Sequence, residues 1–233
     1  MRPRLTIALL CAFVACLAVA ASALGAAAIG IYRNNMDNAT KRTQIVKLKG
    51  ANCVRGGGNQ VLRVAVGKQT DECSYRTPVV GRDLEVGVSA RLLEGTPRSI
   101  RKRMFIGLNL RAGGGGKYQL AVFPTQRKFQ IRKEFPNGTL QYIKVVKGVK
   151  RLKNSINDRN DLRFRAFNIT SGANKGGCRL VVNINGKKQL AVTDPKGGSL
   201  AGRYSGFSVG SSKSSSGAVA SFDDAVVRVP SPF

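Results

Sequence analysis

Polar and apolar residues alternate with period two along the last third of the chain. Residues 162–166 and 178–184 carry an apolar side chain at every even position. This alternation is typical of β-strands, whose successive side chains point to opposite faces. Asn185-Gly186 follows directly, and because this dipeptide favours a type I′ hairpin turn, residues 188–193 are predicted to return as the partner strand.

Similar strand signals recur at short spacing through the rest of the chain. They lie at residues 45–49, 61–66, 83–92, 104–111, 118–123, 128–134, 139–146, 204–209 and 220–229. No segment after residue 32 keeps a helical period for three turns. The sequence therefore predicts an all-β fold, a two-sheet antiparallel jelly-roll sandwich over residues 44–233 with at most short helical turns.

The amino-terminal residues have the pattern of an export segment. Arg2 and Arg4 precede an uncharged, mostly apolar run over residues 5–32. Its length suits either a cleavable signal peptide or a single transmembrane helix, and both alternatives stay open for residues 1–32. Residues 33–43 are polar and aperiodic, which predicts a tether. In either case the β domain is expected outside the cytoplasm, secreted or membrane-anchored.

The cysteines outside the apolar run number three, so they can form at most one bridge. Cys178 shares parity with the inward positions of its strand and is predicted to be a buried thiol. Cys53 and Cys73 flank the predicted strand 61–66. Because an exported domain folds in an oxidising compartment, we predict a Cys53–Cys73 disulfide.

Charge and composition restrict the function. The chain has 39 Lys+Arg against 12 Asp+Glu, a formal net charge of +27, and contains neither histidine nor tryptophan. Such an excess of positive charge favours an anionic partner, although it can also serve solubility alone. The lack of histidine argues against serine triads and histidine-ligated metal sites. We expect no metal and no cofactor, although the oxygen ligands of residues 157–161 leave calcium open as an alternative.

The order of the C-terminal strands carries a family resemblance. After the Asn185-Gly186 hairpin, residues 204–209 have the sequence YSGFSV and residues 222–229 the sequence FDDAVVRV, while residues 83–91 form a DLEVGVSAR strand. This order resembles the concanavalin A-like lectin/glucanase superfamily, in particular its laminin G-like and 3-keto-disaccharide hydrolase-like domains. The resemblance covers residues 44–233. It implies a jelly roll that serves as a lectin, a hydrolase or an interaction module.

Catalytic carboxylates are not apparent in the sequence. Retaining glucanases of this superfamily carry a Glu-x-Asp-x-x-Glu strand, which places nucleophile and acid on one face, and this chain lacks that strand. The remaining candidates are Asp83, Glu85, Asp158 and Asp161. We therefore expect a non-enzymatic module with no catalytic residues, and a glycoside-processing hydrolase is the alternative.

Arginines at outward strand positions are the predicted binding residues. They are Arg91, Arg111, Arg132, Arg163 and Arg165. If these arginines lined one concave face, they would present bidentate donors to carboxylate, sulfate or phosphate groups. The expected partner is an acidic polysaccharide or another anionic envelope polymer. The alternatives are a merely solvated face and nonspecific binding to lipid or nucleic acid; no specific nucleic-acid partner is expected.

Overall fold

The computed structural model describes residues 29–49, 53–58, 61–66, 72–196, 198–211 and 217–229. Within these ranges, two antiparallel sheets pack face to face. The predicted two-sheet sandwich is thus confirmed. The longest helical segment among the described residues has six residues, and no described helix is long and apolar enough to cross a membrane.

The first sheet has eight strands. Seven of them form a continuous series, and the eighth, β1, pairs with β15 outside that series. In spatial order its strands are β13 (Lys187–Asp194), β12 (Cys178–Ile184), β11 (Asn160–Asn168), β6 (Leu84–Leu92), β15 (Val219–Val229), β4 (Val61–Val66) and β3 (Cys53–Gly58), with β1 (Ile29–Asn34) beside β15. The predicted hairpin at Asn185-Gly186 joins β12 to β13, and both turn residues have positive φ.

The second sheet has seven strands. In spatial order they are β10 (Leu140–Val146), β9 (Lys128–Glu134), β8 (Gly116–Phe123), β7 (Met104–Gly113), β14 (Tyr204–Ser211), β5 (Glu72–Val80) and β2 (Val46–Lys49). One short helix, α1 (Ala39–Thr43), precedes β2, and two 3-10 helices span Arg98–Arg103 and Pro124–Gln126.

The core lies between the sheets, where the inward side chains of both meet. Val86 of β6 and Leu108 of β7 are completely buried. Phe207 of β14 and Phe222 of β15 join the two sheets with ring centroids 4.6 Å apart, and Tyr75 of β5 stacks on Phe207 at 6.3 Å. Burial of such large apolar groups is the main driving force for sheet packing.

The sandwich begins earlier in the chain than the sequence indicated. β1 pairs with β15, and Met36, inside the segment predicted as a tether, is completely buried. Asn34 Nδ2 donates to the Lys41 carbonyl oxygen at 2.7 Å, which fixes the turn before α1. The boundary at residue 44 therefore needs correction, because pairing with a strand about 190 residues away leaves no local signal. The predicted export segment, residues 1–32, lies outside the described residues as far as residue 28, and its last four residues form part of β1.

The cysteine prediction is confirmed. Cys53 of β3 and Cys73 of β5 form a disulfide with a Cα–Cα distance of 5.8 Å. The bond links the two sheets near their edges. Closing a loop of this length contributes about 3 kcal/mol in the chain-entropy model. Cys178 is a buried free thiol, and burial is the main cause that raises its pKa to about 11, so the reactive thiolate is disfavoured.

Candidate functional site

The outer face of the seven-stranded sheet is polar yet shielded from solvent. Asn109 of β7, Gln119 of β8 and Arg132 of β9 lie opposite one another on successive strands. All three are buried, and Arg132 is only 4% exposed. Polar groups removed from water require hydrogen-bond partners. These side chains therefore belong to an internal network instead of a solvated surface.

Glu72 of β5 is the centre of this network. Its Oε1 accepts hydrogen bonds from Ser74 Oγ at 2.5 Å, Lys117 Nζ at 2.7 Å and Gln119 Nε2 at 2.8 Å. Gln119 Nε2 also lies 3.1 Å from Asn109 Oδ1. Three donors on one buried oxygen hold the carboxylate in a single position.

Lys117 joins two carboxylates. Its Nζ lies 2.7 Å from Glu72 Oε1 and 3.2 Å from Glu134 Oε2. Burial alone would raise the pKa of Glu72, but the charge of Lys117 and hydrogen bonds from Lys117, Ser74 and Ser208 outweigh burial and lower the pKa to about 2. Glu72 is therefore ionised at neutral pH.

Two cations lie on aromatic rings beside this network. The Arg132 guanidinium carbon is 4.8 Å from the centroid of Phe105, and Lys128 Nζ is 4.2 Å from the centroid of Phe123. Arg132 Nε also donates to Gln119 Oε1 at 2.8 Å. Cation–π contact positions both charges, and the hydrogen bond to Gln119 further fixes Arg132.

Two depressions that share Glu134 open on this face, and we call them together the recess. The smaller has a volume of about 240 Å³ and is lined by side chains that include Phe105, Phe123, Lys128, Arg132 and Tyr142. The larger has a volume of about 370 Å³ and is lined by side chains that include Asn109, Lys117, Phe135 and Tyr204. Asn109 Nδ2, buried in the larger depression, has no hydrogen-bond partner among the described residues.

The predicted arginine ladder on one face is wrong. Arg132 lies in the recess of the seven-stranded sheet, whereas Arg91, Arg163 and Arg165 lie on the outer face of the eight-stranded sheet. Arg111 lies on neither outer face. The sequence shows which side of a strand a residue occupies, but not which sheet the strand joins.

Arg111 has a structural role. It is 2% exposed, and its φ of 50° lies at an irregularity of β7 that breaks the alternation. Its guanidinium donates to the Leu200 carbonyl at 3.2 Å and to Asp83 Oδ1 and Asn168 Oδ1 at 2.9 Å each. The side chain thus ties the two sheets together, and its donors are taken up by protein atoms.

The four carboxylates considered for catalysis do not converge. Asp83 pairs with Arg111, and Glu85 pairs with Arg165 on the eight-stranded sheet. Asp158 accepts from the Ser155 amide in a loop, and Asp161 lies near Arg159. The recess carboxylates, Glu72 and Glu134, were missed in the sequence. The sequence signal for them was alternation. Glu72 lies two residues before Ser74 on β5, and Glu134 lies two residues after Arg132 on β9, so each pair occupies one face of its strand.

Comparison with solved structures supports the fold. A protein of unknown function with a galectin-like fold from Bacillus subtilis is 13% identical with a TM-score of 0.60, covering 86% of this chain and 96% of that one. The carbohydrate-binding module CBM66 from Bacillus subtilis is 13% identical with a TM-score of 0.57, covering 79% and 95%. A β-glucanase from Bacillus licheniformis is 12% identical with a TM-score of 0.55, covering 86% and 98%.

These similarities establish that the chain has a concanavalin A-like jelly-roll fold, as the sequence resemblance implied. No family model matches the chain. No curated protein sequence matches it either. At this level of identity the comparisons concern the fold alone, and function has to be argued from the residues of the site.

Proposed function

We propose that this protein is a carbohydrate-binding module of the cell envelope and that its recess binds an acidic glycan. The observation that carries the proposal is the pair of cations seated on aromatic rings, Arg132 on Phe105 and Lys128 on Phe123, at the wall of a depression of about 240 Å³. The recess thus combines a fixed polar network with positive charge, which suits a hydroxyl-rich anion.

The shape and chemistry of the recess suit a sugar chain. Two adjoining depressions can hold successive residues of a glycan, and Tyr142, 53% exposed at the outer strand β10, offers a ring face for stacking. Among proteins of this fold are the carbohydrate-binding module CBM66 and the VIP36 domain in a Ca²⁺/Man3GlcNAc-bound form, which supports a glycan as the ligand.

Crowding of positive charge at the recess favours an acidic glycan. Partial burial and the nearby charges of Lys147 and Arg132 lower the pKa of Lys128. A carboxylate or sulfate placed between Lys128 and Arg132 would relieve this repulsion and gain charge-assisted hydrogen bonds. A neutral glycan would gain neither.

The electrostatics of Glu72 argue against a role as the acid of a glycosidase pair. One carboxyl of a glycosidase pair has to hold a proton near neutral pH, which requires a raised pKa. The pKa of Glu72 is instead lowered to about 2 by Lys117 and its hydrogen bonds, after burial is overcome. A glycoside-processing hydrolase remains the second candidate, supported by the glycosidic hydrolase and β-glucanase that share this fold.

The proposed location is outside the cytoplasm. The Cys53–Cys73 disulfide is expected in an oxidising compartment. The apolar run before residue 29 is suited to export. Secretion after cleavage and retention by a transmembrane helix are both compatible with this proposal.

Titration calorimetry with oligogalacturonate and a neutral oligoglucan tests the function. Lys128→Gln and Arg132→Gln should each weaken oligogalacturonate binding by about 1 to 3 kcal/mol, the range of charge-assisted hydrogen bonds. Arg98→Gln removes an equal charge from an exposed position outside the recess and should have little effect. Equal losses in all three variants would refute the recess as the site, and release of new reducing ends from the oligosaccharide would refute the non-enzymatic assignment.

A further inference from the structure

The opposite face of the molecule contains a buried carboxylate surrounded by arginines. Glu85 of β6 lies on the outer face of the eight-stranded sheet and is 2% exposed. Arg165 of the neighbouring strand β11 donates to Glu85 Oε2 from Nε at 3.1 Å and from Nη2 at 2.9 Å. This fork satisfies one carboxylate oxygen and anchors the Arg165 side chain.

Two further guanidinium groups approach the other oxygen from both sides. Arg163 Nη1 on β11 and Arg228 Nη1 on β15 each lie 3.9 Å from Glu85 Oε1. That distance is too long for a hydrogen bond, and Glu85 Oε1 has no hydrogen-bond partner among the described residues. We call Arg163, Arg165 and Arg228 around Glu85 the arginine cluster.

Two of the three guanidinium groups, those of Arg163 and Arg228, are exposed to solvent. Within the described residues, neither the Arg163 nor the Arg228 guanidinium donates a hydrogen bond to a protein atom. Arg163 remains 46% exposed, and Arg228 26%. Three positive charges around one carboxylate leave an excess of two, and Glu85 holds the guanidinium groups close together despite their mutual repulsion.

The surrounding face extends the positive charge. Arg91 of β6 and Arg63 of β4 flank Ser221, and Arg33 of β1 pairs with Val226. The acidic groups of this face lie on the Arg159 side of the cluster, where Asp161 and Asp224 line the same depression as Arg163. They are Asp161, Asp223 and Asp224, each within 4 Å of Arg159.

We propose that the arginine cluster is a second binding site, which takes the phosphate groups of a linear phosphate-bearing polymer. A tetrahedral oxyanion directs its oxygens in several directions, so one phosphate can receive donors from Arg163 and Arg228 on opposite sides of Glu85. A planar carboxylate matches one guanidinium fork at a time. The geometry of the cluster therefore favours phosphate over uronate.

The uneven surface of this face favours an extended polymer as the ligand over a flat membrane. A depression of about 320 Å³ lies beside Arg163 above Gly87 and continues toward Asn183. Gly87 is required there because an added Cβ would lie 2.9 Å from Val226 Cγ1 and 3.2 Å from Arg163 Cγ. The cluster residues are also exposed to different degrees, from 17% for Arg165 to 46% for Arg163.

Binding of inorganic polyphosphate to the full-length protein tests this site. The double variant Arg163→Gln/Arg228→Gln should bind polyphosphate at least about tenfold more weakly than the unmodified protein, because two charge-assisted contacts are lost. The control Arg98→Gln/Lys102→Gln removes the same charge from exposed residues of a 3-10 helix and should change the affinity by less than about threefold.

Conservative variants keep the test decisive if folding suffers. Arg163→Lys/Arg228→Lys preserves charge but removes the planar fork, so it should bind polyphosphate more weakly than the unmodified protein while forming the Cys53–Cys73 disulfide normally. Equal losses in the cluster and control variants would overturn the proposal. Unchanged polyphosphate binding in the lysine variant would also overturn it. The same holds if the cluster arginines bind phosphatidylglycerol vesicles or polygalacturonate more tightly than polyphosphate. Because the recess lies on the other sheet, Arg132→Gln should leave polyphosphate binding unchanged whether or not the recess binds glycans.

Discussion

The two outer faces of the sandwich hold positive charge in different ways. In the recess, Arg132 is buried and Lys117 is mostly buried, and each is fixed by neighbouring side chains. In the arginine cluster, the guanidinium groups of Arg163 and Arg228 lie 3.9 Å from Glu85 Oε1 and face solvent. The recess can therefore discriminate by shape, whereas the cluster responds mainly to the charge and geometry of an oxyanion.

The largest expected effect is on stability, from removal of the recess carboxylate. Glu72→Gln should lower the free energy of unfolding by about 3 kcal/mol, because it breaks a buried ion pair and leaves Lys117 with Glu134 alone. Asp37→Asn removes the partner of Lys41 from an exposed pair and should cost less than about 1 kcal/mol. Denaturation curves measure both values, and similar losses would contradict the central role of Glu72.

The same carboxylate predicts a pH dependence of stability. The pKa of Glu72 is about 2 in the folded protein against an ordinary value of 4.5, so its contribution is complete above pH 4.5 and is lost as the pH falls toward 2. Urea unfolding at pH 6 and pH 3 should therefore show a smaller acid-induced loss for Glu72→Gln than for the unmodified protein. Identical losses would show that Glu72 is not ionised in the network.

The next largest expected effect is a difference between the two faces in how strongly salt weakens ligand binding. Polyphosphate binding at the arginine cluster should weaken by at least about tenfold between 50 and 200 mM salt, since several phosphate charges are neutralised by exposed cations. Oligogalacturonate binding in the recess should weaken less, because buried charges are screened less. Titrations at both salt concentrations check this order, and equal slopes would mean that both ligands are held by surface charge alone.

A smaller effect concerns the protonation of Lys128. Burial, Lys147 and Arg132 lower the pKa of Lys128, so its charge is lost at a lower pH than that of an ordinary lysine. Affinity for oligogalacturonate should fall as the pH rises through this lowered pKa, and Lys128→Arg should remove the decline. A decline that persists in Lys128→Arg would assign the titration to another group.

The smallest effect is expected from the exposed lysines near β10. Lys147→Gln/Lys150→Gln removes two charges from the loop that follows this edge strand. It should weaken oligogalacturonate binding by less than about threefold while moving the Lys128 transition to higher pH, because one repelling charge is gone. A loss as large as that of Arg132→Gln would move the site from the recess to this edge.

Local patterns predicted the elements of this fold but not their arrangement. The alternation over β11 and β12, the Asn185-Gly186 turn and the Cys53–Cys73 bridge were all predictable because each depends on neighbouring residues or simple parity. The assignment of Arg132 and Arg163 to opposite sheets depends on strand order, which no local pattern encodes.

The recess was hidden from sequence analysis for a similar reason. Glu72 and Gln119 are 47 residues apart and meet only because β5 and β8 belong to one sheet. Arg111 followed the outward parity of its strand, but its left-handed backbone turned the side chain toward Asp83. Alternation fails wherever the strand is irregular, so a parity argument is valid only up to such a residue.

Side-chain footprinting with both ligands tests most directly whether the two faces bind different anions. The full-length protein is labelled at lysines and arginines, with oligogalacturonate or inorganic polyphosphate present, and the modified residues are read by mass spectrometry. Oligogalacturonate should protect Lys128 and leave Arg163 reactive, whereas polyphosphate should protect Arg163 and Arg228 and leave Lys128 reactive. Protection of the same residues by both ligands would contradict two separate sites.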